Sequence, residues 1–295
     1  MEKEVNSGED KLLYSAGYDG VVKVWDITEG VLIKSISLVE CLIYSIAKST
    51  KYLFVSDSNY LISVYDIGSD YSFIRSLLIE NNISYALKCV NEKHLVVGSE
   101  DNKVRVYNIE CDFQLSLTFQ AHKLRVFSIE SCASYLYTGG EDKKLKIWSI
   151  ENLFQLEKVL TGHLYGIYKI VIHGDLIISG GYDNTVIVWE LIDNDFIIKS
   201  KITKANDFIQ TFTVKENLLA LGTTTGIIEV RNMKSINIIE QSISQLLAIN
   251  CLVFKGELLL IGGSNKAINI WPIPNDKVEL PKLLGTHEYL IRALI

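Results

Sequence analysis

The feature that most constrains the fold is a repeat that recurs seven times along the 295 residues. Its strongest marks share an aromatic or substitute residue followed by a small or polar one: Trp25-Asp26, Tyr65-Asp66, Tyr107-Asn108, Trp148-Ser149, Trp189-Glu190, Arg231-Asn232 and Trp271-Pro272. Successive marks are 40, 42, 41, 41, 42 and 40 residues apart. A near-constant period of this length is typical of architectures built by stacking one supersecondary unit.

Each unit reads as four short strands. In the fifth unit, the predicted strands are residues 167–172, 176–179, 185–189 and 196–202. They are rich in β-branched residues and are separated by turns of Gly, Asp and Asn, as in antiparallel hairpins. The third strand is apolar throughout residues 186–189, which predicts burial on both faces.

The order of motifs within the units resembles the WD-repeat family. The fifth unit shows it most fully, with Gly162-His163, then Gly180-Gly181-Tyr182-Asp183, then a β-rich run ending in Trp189. The resemblance covers essentially the whole chain, although Arg231 replaces the aromatic residue of unit six. It implies an all-β, seven-bladed β-propeller with four-stranded antiparallel blades. We expect residues 1–295 to form a single domain, with residues 1–10 as a polar extension.

The first unit lacks its opening strand, and the missing piece is found at the other end of the chain. Thr286-His287 stands where Gly-His is expected, and residues 290–295 read as an innermost strand. We therefore predict that residues 287–295 complete blade one and close the propeller, which leaves no open sheet edge there.

Three sets of Trp, hydroxyl, His and Asp recur at matching spacing, and the family resemblance implies that they form structural hydrogen-bond tetrads. The three sets are His287, Ser15, Asp19 and Trp25; His122, Thr138, Asp142 and Trp148; and His163, Ser179, Asp183 and Trp189. A hydrolase would need one accessible set with an oxyanion hole, whereas three equivalent sets favour a structural role. We therefore predict no catalytic residues.

The resemblance also places loop positions on the top face of the propeller, where partners are expected to bind. The residues predicted there are Tyr18, Tyr44, Glu100, Arg125, Phe127, Glu141, Tyr168, Tyr182, Phe208 and Arg292. In blade three the alignment places Ala86 at the position of Tyr44, Phe127 and Tyr168. Aromatic residues with arginine are typical of interaction hot spots, so the expected partner is a peptide or loop with a basic residue flanked by apolar ones.

Composition narrows the function further. The formal net charge of −6 disfavours direct nucleic-acid binding, because phosphate neutralisation needs basic residues. Five cysteines without a Cys-x-x-Cys pair indicate a reducing compartment, cytoplasmic or nuclear, and no metal or cofactor is expected. We predict a non-catalytic interaction scaffold or adaptor, monomeric within a larger complex and without a membrane segment. The alternatives are a subunit of a nucleic-acid-associated complex and, last, a Ser/His/Asp hydrolase.

Overall fold

The computed structural model describes residues 11–193, 195–204, 207–233, 238–243, 247–272 and 282–295, with only the backbone described for residues 238–243. The predicted extension, residues 1–10, lies outside the described residues. No helix in the described part of the chain is long and apolar enough to cross a membrane.

The described strands form seven four-stranded antiparallel sheets, which we call blades one to seven. Their bounds are, in blade one, β1 (Leu12–Gly17), β2 (Val21–Asp26) and β3 (Val31–Ser37); in blade two, β4 (Ile43–Lys48), β5 (Tyr52–Asp57), β6 (Leu61–Asp66) and β7 (Ser72–Leu78); in blade three, β8 (Ser84–Val90), β9 (His94–Ser99), β10 (Lys103–Asn108) and β11 (Gln114–Gln120); in blade four, β12 (Val126–Cys132), β13 (Tyr135–Gly140), β14 (Lys144–Ser149) and β15 (Gln155–Thr161); in blade five, β16 (Ile167–His173), β17 (Leu176–Gly181), β18 (Thr185–Ile192) and β19 (Asp195–Thr203); in blade six, β20 (Ile209–Lys215), β21 (Leu218–Thr223), β22 (Ile227–Asn232) and β23 (Ile238–Ile243); and in blade seven, β24 (Ile249–Lys255), β25 (Leu258–Gly263), β26 (Ala267–Pro272) and β27 (Lys282–Thr286). The final strand, β28 (Ile291–Leu294), is the fourth strand of blade one. The predicted fold class, an all-β seven-bladed propeller, is confirmed.

The chain divides into two compact units. The first contains Met1–Ile43 and Gln210–Ile295, and the second contains Tyr44–Ile209. Blades one, six and seven therefore belong to the first unit, and blades two to five belong to the second.

In the first unit, the chain ends meet within one sheet, as the split repeat predicted. β28 pairs antiparallel with β1, with Ser15 opposite Leu294 and Gly17 opposite Ile291. Beyond the strand, the Tyr14 and Ile295 backbones exchange two hydrogen bonds of 3.0 Å. Ile291 is fully buried in a cluster with Leu13, so β28 supplies apolar packing as well as backbone pairing.

In the second unit, the core lies between successive blades. One buried cluster joins Phe54 of blade two to Leu95 of blade three, and another joins Val104 of blade three to Trp148 of blade four. A third joins Tyr137 of blade four to Ile177 of blade five. Strands squeezed between two neighbours bury both faces, which explains the continuous apolar run of β18.

Candidate partner-binding surface

The three predicted tetrads are each assembled by hydrogen bonds. In blade one, the Trp25 indole N–H donates to Ser15 Oγ at 2.8 Å, and Ser15 Oγ lies 2.8 Å from His287 Nε2. His287 Nδ1 lies 2.8 Å from Asp19 Oδ2. Because a carboxylate only accepts, Nδ1 carries the proton, and Nε2 of the neutral ring accepts the hydroxyl proton.

Blade four repeats this arrangement with small differences in length. The Trp148 indole donates to Thr138 Oγ1 at 2.9 Å, and that hydroxyl lies 2.8 Å from His122 Nε2. His122 Nδ1 lies 2.7 Å from Asp142 Oδ1. Every polar group in the chain is thereby paired inside the protein, as buried polar groups require.

Blade five contains the third copy. Trp189 donates to Ser179 Oγ at 2.8 Å, and Ser179 Oγ lies 2.8 Å from His163 Nε2. His163 Nδ1 lies 3.0 Å from Asp183 Oδ1, whose other oxygen accepts the Leu164 backbone N–H at 2.6 Å. The aspartate therefore ties the β17–β18 turn to the loop that precedes β16.

The glycine that ends the second strand of a blade makes room for the histidine ring. A Cβ atom on Gly140 would clash with the ring of His122, and a Cβ on Gly181 would clash with that of His163. Blade three has Ser99 at this position and no tetrad histidine.

In blade three, an arginine network that the sequence analysis missed occupies this region. Arg105, almost fully buried, donates to Ser99 Oγ at 2.8 Å, to Asp101 Oδ2 at 2.6 Å and to Glu80 Oε2 at 2.9 Å. Counting from the repeat, Glu80 stands at the histidine position of blade four. The buried charge is neutralised by two carboxylates, so the turn is held by ion pairs instead of by a tetrad.

The tetrad aspartates respond to burial and to hydrogen bonding in opposite senses. Burial alone would raise the pKa of Asp142, but hydrogen bonds from His122 and from the Lys123 backbone lower it to about 2. The pKa values of Asp19 and Asp183 are lowered in the same way, by their histidines and by backbone N–H groups acting against burial. All three carboxylates are therefore ionised at neutral pH.

These shifts predict acid sensitivity. Because the folded pKa of Asp142 lies below the unfolded value, its ionisation stabilises the fold above about pH 4 and stops doing so as pH falls toward 2. Asp142→Asn should lower the melting temperature at pH 7 and flatten its decline between pH 4 and pH 2. As a control, Asp57→Asn should not flatten it, because burial raises the pKa of the Asp57 carboxyl. An unchanged acid slope in Asp142→Asn, measured by thermal melts across this range, would contradict the assignment.

The second unit also brings aromatic side chains of four blades into one continuous row. The row consists of Tyr44, Tyr85, Phe127, Tyr182 and Tyr168, which we call the aromatic row. Successive ring centroids are 5.7, 5.5, 5.7 and 5.3 Å apart, and the first three contacts are edge-to-face. These distances lie in the range in which aromatic pairs attract each other beyond simple burial.

A β-bulge at the start of the innermost strand positions three of these rings. In blade three the register skips Tyr85, so that Ser84 pairs with Ser99 and Ala86 pairs with Gly98. Phe127 and Tyr168 are skipped in the same way in blades four and five. An extra residue in a strand redirects its side chain, and the repeated bulge therefore turns one ring per blade toward the loop end.

The structure corrects the sequence prediction in blade three. Ala86 was predicted at the surface position, but it is a buried core residue of β8, and the equivalent of Phe127 is Tyr85. The alignment was wrong by one residue because blade three has no histidine from which to count. The intervals from Tyr44 to Tyr85 and from Tyr85 to Phe127, 41 and 42 residues, were the signal that could have identified it.

Charged groups lie beside the aromatic row. Glu100 Oε1 and an Arg125 guanidinium nitrogen form an ion pair of 2.9 Å. Burial raises the pKa of Tyr85, and the charge of Glu100 raises it further. Glu141 lies on the neighbouring loop, and its Cα would be 2.9 Å from a Cβ on Gly166. Gly166 thus permits close approach of the loops of blades four and five next to Phe127.

The remaining predicted surface residues are distributed as follows. Tyr182 is 51% exposed and Phe208 is 59% exposed, whereas the Tyr168 hydroxyl is buried without a hydrogen-bond partner among the described residues. In the first unit, the Tyr18 backbone N–H donates to Leu290 at 3.0 Å, and Arg292 is the bulge residue of β28. No group of three or more His, Cys, Asp or Glu side chains that could hold a metal ion occurs within the described ranges.

Comparison with known proteins agrees with this geometry. The model of the family "WD domain, G-beta repeat" matches residues 5–26, 113–149 and 154–190. The crystal structure of the computationally designed Ika8 protein superposes with a TM-score of 0.75 at 20% identity, covering 96% of this chain and 86% of that one. At this identity, the likeness shows the fold alone. No curated protein sequence matches the chain.

The blades and their repeated motifs define the class of protein as a seven-bladed β-propeller. With the family model matched on three separate segments, the chain belongs to the WD-repeat family. Propellers of this family typically act as scaffolds for protein interactions.

Proposed function

We propose that this protein is a non-catalytic interaction scaffold and that the aromatic row binds a peptide or loop of a partner protein. The single observation that supports this most is the continuity of the row, since five rings from four blades are arranged edge to edge at one end of the strands. Isolated core packing does not require the same bulge in successive blades.

The composition of the row suits a binding surface. Tyrosine and phenylalanine supply large contact area at low conformational cost, and such residues are enriched among hot spots. Tyr182 is half exposed, and Phe127 and Tyr85 are partly exposed, so a partner could bury further apolar area there. Glu141 has no ion-pair partner among the described residues, which favours a partner carrying a basic residue between apolar ones.

The tetrads support the non-catalytic part of the proposal. Their hydroxyl-bearing residues Ser15, Thr138 and Ser179 have no exposed surface. Each hydroxyl also receives an indole N–H, which directs its lone pair into the protein. A nucleophile must reach its substrate, so these groups stabilise the fold and do not attack a carbonyl group.

The test uses a defined probe, a displayed library of short random peptides selected on the purified protein. We expect enriched peptides to share a basic residue flanked by apolar ones. Phe127→Ala/Tyr182→Ala should weaken the best peptide at least about tenfold, equivalent to about 1.4 kcal/mol, by isothermal titration calorimetry.

A matched control comes from an aromatic residue elsewhere on the same unit. Phe73 is exposed on β7, the outer strand of blade two, and Phe73→Ala should leave the affinity unchanged. The double variant must retain the wild-type melting profile. Selected peptides that bind the folded double variant as tightly as the wild type would contradict the proposal.

A further inference from the structure

A cavity of about 380 Å³ lies between blades four and five, at the opposite end of the strands from the aromatic row. Phe127 is at the start of β12, whereas Cys132, which lines the cavity, is at its end. The walls are mostly apolar and include Ile147, Ile177 and Phe196. A volume of this size lies in the range of pockets that hold small ligands or single large side chains.

The corresponding spaces between the preceding blades are filled by the protein itself. Phe113 of blade three packs against Tyr52 and Phe54 of blade two, with centroid distances of 5.1 and 6.1 Å. Phe154 of blade four packs against Phe119 and His94 of blade three, at 6.0 and 6.5 Å. Both phenylalanines are buried.

Blade five differs because its outer hairpin is longer. Phe113 and Phe154 precede their strands with left-handed backbones, at φ 56° and 59°, which turn the rings inward. Phe196, the equivalent residue, is inside β19 and pairs with Leu191 of the extended β18. It remains only half-buried, so the hairpin forms a wall and leaves open the space that a phenylalanine fills elsewhere.

The polar groups of the cavity have a distinct charge. Glu157 and Asp175 are exposed at the rim, and neither has an ion-pair partner among the described residues. The cation of the rim, Lys158, is already paired with Asp195 at 3.2 Å and lies over the Phe196 ring. Burial raises the pKa of the Tyr137 hydroxyl to about 12, so this group is neutral within the cavity.

We propose that this cavity is a second binding site, specific for a compact apolar group attached to a cationic amine. The apolar group would occupy the space that Phe113 and Phe154 fill between other blades, and the amine would lie between Glu157 and Asp175. Such a ligand is available either as a free aromatic amine or as adjacent apolar and basic side chains of a peptide.

The exposed thiol of Cys132 allows a direct test, and the exposed thiol of Cys111 in blade three is an internal control. The full chain is equilibrated, under excess 2-mercaptoethanol, with three mixed disulfides that carry a benzyl group with an amine, a benzyl group with a carboxylate, or an amine alone. Peptide mass spectrometry then measures the occupancy of each thiol. We expect the benzyl amine to be favoured at least tenfold at Cys132, and all three probes to label Cys111 alike.

Two variants separate the roles of charge and shape. Glu157→Gln/Asp175→Asn should remove the preference for amine over carboxylate at Cys132. Leu191→Trp, at a half-exposed wall residue, should remove the preference for the benzyl group by filling the cavity. Melting profiles and Cys111 labelling identify a variant that has failed to fold, and in that case the wild-type preferences alone decide.

Competition distinguishes the two sources of the ligand. Phenethylamine or N-acetyl-Phe-Lys-amide, added in excess, should reduce benzyl-amine labelling of Cys132, and the stronger competitor identifies the source. Equal labelling of Cys132 by the three probes, or no competition by either compound, would overturn the proposal. Phe127→Ala/Tyr182→Ala should leave the labelling unchanged, so this result and that for the aromatic row can fail independently.

Discussion

Removal of residues 287–295 should abolish cooperative folding of the first unit. The deletion takes away β28, which pairs with β1, and Ile291, which is fully buried against Leu13. It also removes His287, leaving Ser15 and Asp19 of the tetrad unpaired. Loss of one large buried apolar side chain and of a buried hydrogen-bond network together cost at least about 4 kcal/mol, a large part of a typical domain's stability.

Hydrogen exchange measured by mass spectrometry is the appropriate readout for this deletion. We expect the amides of residues 12–17 to lose protection relative to the full chain, with the thermal transition lowered or lost. The matched control is Tyr289→Ala, because Tyr289 belongs to the same segment and is 59% exposed. Protection of β1 that survives the deletion would show that β28 is dispensable.

His163→Ala should lower the free energy of unfolding by about 1–3 kcal/mol, because it leaves buried groups of Ser179 and Asp183 without their partner. Urea denaturation monitored by tryptophan fluorescence measures the change. His173→Ala is the control, since His173 lies at the β16–β17 turn outside any tetrad, and it should have little effect.

A double-mutant cycle with Ser179→Ala tests whether the effect arises from the tetrad. Because the two side chains are 2.8 Å apart, their coupling energy should be about 0.5 kcal/mol or more. Simple additivity, or wild-type stability in His163→Ala, would mean that the hydrogen bonds of the tetrad contribute nothing to folding.

The sequence predicted the elements that repeat. The period of 40–42 residues indicated seven blades, and the spacing of Ser15, Asp19 and Trp25 indicated that a histidine was missing upstream. Because a repeat restates its hydrogen-bonding pattern in each copy, a gap in one copy points to the residue that fills it. His287 was identified in this way, and the structure places it 2.8 Å from Ser15.

The prediction was weaker where a copy departs from the pattern. Blade three lacks the tetrad, and the residue that replaces its function, Arg105, has no counterpart in the motif. Tyr85 was missed because the β-bulge that turns it outward has no signature of its own within β8. Arg105 is recognisable only once Glu80 and Asp101 are seen around it.

The sequence by itself determined the strand order, the fold class and the members of the three tetrads, because these depend on periodicity and on fixed spacing within one repeat. Only the tertiary structure decided which side chains of different blades meet. The edge-to-face contacts of the aromatic row depend on packing between neighbouring sheets. The cavity beside Phe196 likewise depends on where one hairpin ends relative to the next blade. Contacts between blades join residues about 40 positions apart, and no local pattern encodes their distance.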